Sequence, residues 1–277
     1  MNSINCNGKL LNLAEPVVMG IINATPDSFY AGHLKLNTPE IVALACKMIT
    51  DGAAILDIGG QSTRPGSNPV SIQEETDRVL PVIESIHAAY PEIILSIDTY
   101  NSHVAKAAVA AGACIVNDIS GGNLDTDMIA TVAFLQTPYI CMHMKGIPAT
   151  MQNNPVYTDV VKDVLDFFIN KTAECSKAGI KDIIIDPGFG FGKTIEHNFQ
   201  LLKNLAALSI ISKPILAGLS RKGTIYKTLG ITAADALNGT TVLNTMALLQ
   251  GAAILRVHDV KEAKEAIALY TAYKKAF

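Results

Sequence analysis

The sequence runs to 277 residues, 49% of them hydrophobic and 17% charged, with a formal net charge of -3. That length and apolarity supply a large core and exclude disorder, and the slight negative charge excludes a basic field for nucleic acid or an anionic membrane. Five scattered cysteines (Cys6, Cys46, Cys114, Cys141, Cys175) form no C-x-x-C pair, so a reduced, cytoplasmic protein is expected rather than a disulfide framework.

The chain opens on "MNSINCNGKLLN", which has no charged region followed by an apolar run and does not read as a signal peptide. Strand-like runs then recur: "VVMGII" (17–22), "AAILDI" (53–58), "IILSI" (93–97), "ACIVN" (113–117), "PYICMH" (138–143), "DIIID" (182–186), "PILAG" (214–218) and "AAILRV" (252–257). Their near-continuous Ile, Val and Leu content fits parallel strands covered on both faces. Helical patterns lie between them. "TPEIVALACKMITDG" starts with Thr38-Pro39 and stops at Gly52, and "DVVKDVLDFFINKTAECSKAG" stops at Gly179. No apolar run reaches the roughly 20 residues of a membrane span. "TVLNTMALLQGAAILRV" comes nearest and is broken by Asn244, Gln250 and Gly251.

Eight strands alternating with helices predict an α/β chain forming a single (β/α)8 TIM barrel over residues 1–277. An open doubly wound sheet is the competing architecture, disfavoured because no Gly-rich fingerprint follows the first strand. In a barrel the site forms where the strands end. The strand ends carry Asn23 and Asp27, then Thr63 and Arg64, Asp98, Asn117-Asp118, His143, Asp186, Ser220 and Lys222, and finally Arg256 and His258. Each has a plainer reading: the Asn and Asp residues as turn formers or helix caps, Arg256 as a solvated surface charge, His143 as a satisfied core histidine. A zinc site from Cys141 and His143 lacks further ligands. As a ring, Asp98, Asn117 and Asp186 suit the amino-pyrimidinone edge of a flat heterocycle, and Asn23, Arg64, Arg256 and His258 suit anionic oxygens.

"DPGFGFGKT" (186–194) ends like a phosphate-binding loop, but the required first glycine falls on Pro187, so a nucleotide loop is not expected. Its glycines are expected to bend the backbone close to a ligand, and Lys193-Thr194 to start the next helix.

In chain order, "MGIINATPDSF", "DIGGQSTRPGS", "IDTY", "VNDISGG", "MHMKG", "DPGFGFGK", "GLSRKG" and "RVHDV" span residues 19–260. This ordered set resembles the dihydropteroate synthases of folate biosynthesis, a family that sulfonamides target. The resemblance implies a barrel that condenses 6-hydroxymethyl-7,8-dihydropterin pyrophosphate with p-aminobenzoate to 7,8-dihydropteroate and pyrophosphate, by an SN1-like course. It implies a pterin site of Asp98, Asn117, Met142, Asp186, Gly218 and Lys222. Thr63, Arg64, Pro65, Phe191 and Ser220 fall on the p-aminobenzoate side. Asn23, Arg256 and His258 fall at the pyrophosphate, with Mg2+ held partly by Asn23. Asp98, Lys222, Arg256 and His258 carry the catalytic roles. It also implies a homodimer, for which the "TTVLNTMALLQGAA" helix is a candidate face, a buried helix of the barrel's own shell being the equal alternative for that stretch.

Four positions depart from the family pattern. Tyr30-Ala31 stand where Ser-Asp is usual, Gln61 where Glu is common, and Asn101 where Lys is usual. Two other readings stay open: a methyltetrahydrofolate:corrinoid methyltransferase, and a catalytically degenerate pterin-binding module.

Overall fold

The computed structural model describes residues 3–25, 38–62 and 70–276. Eight parallel strands carry the architecture: β3 (Val17–Asn23), β4 (Ile55–Gly59), β5 (Ile94–Asp98), β6 (Ile115–Asp118), β7 (Tyr139–Met142), β8 (Ile183–Asp186), β9 (Leu216–Ala217) and β10 (Ile254–Val257). Each coincides with one of the apolar runs. They neighbour one another in the order β8-β7-β6-β5-β4-β3-β10-β9. A parallel bridge between Ile185 and Ile215 joins the two end strands and closes the sheet into a barrel.

The helices follow the strands as the sequence pattern requires. They are α1 (Thr38–Thr50), α2 (Ile72–Ala89), α3 (Ser102–Ala110), α4 (Met128–Leu135), α5 (Val160–Ala178), α6 (Ile195–Lys203), α7 (Gly223–Leu229), α8 (Leu237–Leu249) and α9 (Val260–Lys275). Local chemistry fixes their ends. Ser71 caps α2 by accepting from the Glu74 amide, and Asp159 caps α5 by accepting from Val161 and Lys162. Gly179 ends α5 in the left-handed region at φ 101°.

Alternation along the strands divides the apolar residues into two clusters. Val18, Ile22, Leu56, Ile58, Leu95 and Ile97 point outward into the layer between sheet and helices. Met19, Ile55, Ile115, Ile140, Ile184 and Ile254 point inward and fill the barrel's lower half. The interior above them is polar: Asp57, Ser96 and Asn117 are all buried there. The strands are therefore apolar on both faces only in their first halves.

An antiparallel hairpin, β1 (Ser3–Cys6) and β2 (Lys9–Asn12), precedes the barrel and is absent from the sequence expectations. Asn7 (φ 53°) and Gly8 (φ 87°) make its turn, the Asn-Gly pairing that a two-residue hairpin favours. Ile4, Cys6 and Leu11 join the inward cluster, so the hairpin plugs the barrel floor.

Candidate active site

The polar rim lies at the C-terminal strand ends, where a (β/α)8 barrel builds its site. Arg256, on β10, reaches across the barrel. Its Nε donates to Asp57 Oδ2 at 2.6 Å and its Nη2 to Asp98 Oδ2 at 2.5 Å. Asn117 Nδ2 donates to the same Asp57 oxygen at 2.9 Å. Three expected polar groups are thus linked through Asp57, Arg256 and Asn117 directly and Asp98 by way of Arg256; the sequence reading passed Asp57 over. The available signal was a carboxylate one residue from the end of an apolar strand, which a barrel interior accepts only when paired. Two of the three Arg256 nitrogens are taken by carboxylates, so the residue belongs as much to the pterin side as to the diphosphate side where it was expected.

Burial pushes the Asp98 carboxyl upward, against the opposing pull of Arg256. Asp186 is also raised by burial, against Lys222 and the Gly188 amide. Burial lowers the Lys222 ammonium to about 8, with the Asp186 carboxylate acting the other way. Lys222 Nζ donates to the Phe189 carbonyl at 2.5 Å and sits 4.8 Å from the centroid of the Phe191 ring. A Cβ built on Gly218 would lie 3.6 Å from Lys222 Nζ and 3.9 Å from Asp186 Oδ2. Glycine there leaves open the space that these two charges face. Met142 is buried at the C-terminal end of β7.

Ser220 Oγ lies 3.0 Å from His258 Nδ1 and accepts from the His258 amide at 3.2 Å. The expected p-aminobenzoate and pyrophosphate groups therefore touch. Between Ser220 and Lys222, Arg221 takes φ 54° and makes a two-pronged pair with Asp259, both N···O distances being 2.7 Å. It also donates to the Ala233 and Ala234 carbonyls. Arg221 was not singled out from the sequence; it ties the loop after β9 to the loop after β10. Asn23 ends β3 opposite Gly59. Thr63, Arg64 and Pro65, like Asp27, Tyr30 and Ala31, lie outside the described residues.

Several neighbours are structural. Asp118 accepts from the Ser120 and Gly122 amides and the Tyr139 hydroxyl. His143 faces outward, edge-on to Phe167, with Lys193 Nζ 2.9 Å from its Nδ1. It is the satisfied core histidine among the alternatives, and among the described residues no cluster of His, Cys, Asp and Glu forms a metal site. Burial first, and then Lys193, lower its imidazole to about 2.

The β8–α6 loop corrects one expectation, that Lys193 only starts the next helix. Two of its glycines, Gly188 and Gly192, approach the backbone that follows β7, while Gly190 faces Lys222. A Cβ on Gly188 (φ 67°) would fall 2.0 Å from the His143 carbonyl oxygen, and one on Gly192 (φ 61°) 2.2 Å from that of Lys145. Thr194 does cap α6, in a capping box with His197. Lys193 does not simply start that helix: its side chain turns inward and is buried. The two phenylalanines divide their roles, Phe189 being wholly buried and Phe191 half-buried beneath Lys222.

Two of the sequence departures have visible structural roles. Asn101 caps α3 by accepting from the His103 amide at 3.1 Å. Gln61 accepts from the Val70 amide and donates to the Tyr100 hydroxyl. It thereby ties the chain after β4 to the approach to α2.

Residues 19–258 match the pterin binding enzyme family. The dihydropteroate synthase of Escherichia coli K12 is 42% identical over 262 residues, covering 94% of this chain and 92% of that one. The chain belongs to the dihydropteroate synthase family. Among solved structures, the Yersinia pestis dihydropteroate synthase with a sulfonamide drug complex superposes with a TM-score of 0.95 at 39% identity, covering 99% of this chain and 100% of that one. The Xanthomonas albilineans dihydropteroate synthase in complex with 7,8-dihydropteroate gives 0.89 at 37% identity, with 99% and 100% covered. Membership of a dihydropteroate synthase transferase family accounts for the paired carboxylates, the amide and the buried lysine at one rim. Among the described residues no helix is long and apolar enough to cross a membrane.

Proposed function

We propose that this chain condenses 6-hydroxymethyl-7,8-dihydropterin pyrophosphate with p-aminobenzoate, and that the observation carrying this reading is the Asp57–Arg256–Asp98 bridge beside Asn117, Asp186 and Lys222. Carboxylates at Asp98 and Asp186 accept the N–H groups of the pterin's amino-pyrimidinone edge, while Asn117 and Lys222 donate to its ring acceptors. Met142 lines the pocket, and Gly218 leaves room for the ring.

The bond that breaks joins the pterin methylene carbon to the diphosphate oxygen. The electron pair leaves with pyrophosphate, and the dihydropterin ring delocalises the cation left behind. Asp98 stabilises that cation electrostatically, and Arg256 and His258 neutralise charge on the departing oxygens. The aniline nitrogen of p-aminobenzoate then bonds to the methylene carbon and gives up a proton. Phe191, Ser220, Thr63, Arg64 and Pro65 form the side from which it attacks. No nucleophile of the protein is needed, and burial holds thiols such as Cys175 up at about 11.

Mg2+ is part of the proposal. Asn23, at the C-terminal end of β3, offers an amide oxygen, a hard donor of the kind Mg2+ takes, so it fits the ion and would hold it. When bound, the ion neutralises charge on the diphosphate. We further propose a cytoplasmic homodimer. Its α8 face, where Val242, Met246 and Leu249 are 44%, 46% and 56% exposed, supports a second copy as the partner, which light scattering on the purified protein tests.

The deciding experiment supplies purified chain with Mg2+ and varies the two substrates separately. Pyrophosphate and dihydropteroate should appear in equal amounts. Product no faster than the uncatalysed rate would leave the degenerate binding module, and methyl transfer to a corrinoid without pyrophosphate would leave the methyltransferase.

A further inference from the structure

Five consecutive carbonyls in the β8–α6 loop, from Gly188 to Gly192, are each met by a side-chain donor. Lys193 Nζ takes those of Gly188 (3.0 Å) and Phe191 (3.1 Å). Lys222 takes Phe189, Gln152 takes Gly190, and the Tyr157 hydroxyl takes Gly192 at 2.9 Å. Lys193 is the hub of this set. An ammonium has three N–H groups, and the third finds His143 Nδ1 at 2.9 Å. The side chain is only 2% exposed.

A buried lysine costs more than an apolar residue of the same length, so its presence calls for something only donors achieve. The loop it closes holds three glycines with positive φ, at 188, 190 and 192. Such a segment has many conformations to lose, and carbonyl anchors select one. The Phe191 ring is carried by this segment, below Lys222 Nζ.

We propose that Lys193, braced by His143 and assisted by Tyr157, is a positioning residue that fixes the Phe191 ring as the wall of the aromatic-amine subsite. It touches neither substrate. It acts through the Gly188 and Phe191 carbonyls, and it rests on the reading above that p-aminobenzoate binds beside Phe191. Asp98 and Asn117, on β5 and β6, hold the pterin edge independently of this loop, which reaches the pterin side only through the Gly188 amide on Asp186 and the Phe189 carbonyl on Lys222, so the amine responds more strongly than the pterin when the hub is removed.

The test uses the full chain with Lys193→Met, which keeps the apolar stem and removes the donors, and Tyr157→Phe, which removes one anchor. With both substrates varied separately, Lys193→Met should raise the KM for p-aminobenzoate about ten-fold while the KM for the pterin pyrophosphate moves less than about two-fold. Tyr157→Phe should shift the same constant by about two- to three-fold. Hydrogen exchange gives a readout independent of turnover: the Gly188–Gly192 amides should exchange at least about ten-fold faster in Lys193→Met, with the barrel strands unchanged. Equal rises in both KM values, or wild-type exchange in this loop, would overturn the proposal. If Lys193→Met does not fold, an unchanged amine KM and loop exchange in Tyr157→Phe overturn it instead. Wild-type chain that makes no dihydropteroate defeats the functional reading and not the loop assignment, which the exchange result decides alone.

Discussion

Arg256 and Asp57 sit 199 residues apart in sequence and meet inside the barrel at 2.6 Å. The same Asp57 oxygen accepts from Asn117, so one carboxylate sets the orientation of both a guanidinium and an amide. The substitution Asp57→Asn removes the charge: its amide oxygen can still accept from both donors, with the NH2 in place of the unpartnered Oδ1, but the ion pair with Arg256 is lost. Asp98 still holds the guanidinium, so the loss of folding stability should reach about 3 kcal/mol at most, the low end of what one lost partner of a buried pair costs. The larger effect falls on the pterin side, with kcat/KM for the pterin pyrophosphate reduced by at least about ten-fold. Urea unfolding and steady-state rates check both. A variant with wild-type values in each would show that Asp57 positions nothing.

Lys222 makes rate and stability move in opposite directions with pH. Burial pushes its ammonium down to about 8, so its role as a charged donor is lost as pH rises through that value. Above it, kcat/KM for the pterin substrate should fall about ten-fold per pH unit. For folding, the unfolded lysine keeps its proton up to about 10.5, where the folded one has lost it. The unfolded state then binds more protons, and this group's contribution to stability grows between about 8 and 10.5. Lys193, lowered by burial to about 7, moves the same way. Buried thiols oppose both above pH 9, Cys6 being pushed up to about 12. The Lys222 contribution is therefore read as the difference in urea midpoint between wild type and Lys222→Met. A rate that stays flat through pH 9.5 would remove Lys222 from the charged-donor role.

The barrel was legible because each strand spans its apolar layers in one short run, and the rim because polar residues stop those runs. Asp57 was hidden for the same reason. It lies inside a run rather than after it, and its partners Arg256 and Asn117 come from strands far away in sequence. Lys193 was misread because it precedes Thr194, whose capping role is local and obvious, while its own partners are backbone carbonyls of Gly188 and Phe191, which carry no side-chain signal, and His143 beyond β7. Asn7-Gly8 was a readable hairpin signal, obscured by the polar composition around it. The strand ends gave the chemistry; the contacts that aim it are tertiary and leave no spacing to count.

Asn101 shows how a departure from the family pattern is absorbed. Its side chain caps α3, a role that lysine, which has no acceptor, cannot fill. Asn101→Lys should therefore cost about 1 kcal/mol, the usual size of a lost N-cap, seen as a lower thermal midpoint. Both KM values should hold, because the substitution acts on the helix start. A rise in turnover without loss of stability would mean that the lysine has a catalytic part to restore.

The hairpin separates stability from chemistry most cleanly. Leu11 is 4% exposed and packs with Ile4 and Cys6 onto the inward cluster at the barrel floor. That floor is at the N-terminal ends of the strands, opposite the rim that carries Asp98 and Lys222, and residues there support the fold rather than the reaction. Leu11→Ala removes buried methyl groups and leaves a cavity, so unfolding should become easier by roughly 2–5 kcal/mol. The low end is expected, because a two-stranded hairpin can settle further onto the floor than a strand inside the barrel can. At temperatures where the variant stays folded, kcat and both KM values should match wild type. A selective change in either KM, with stability unchanged, would mean that the floor communicates with the rim, and the hairpin would then need a role beyond closing the barrel.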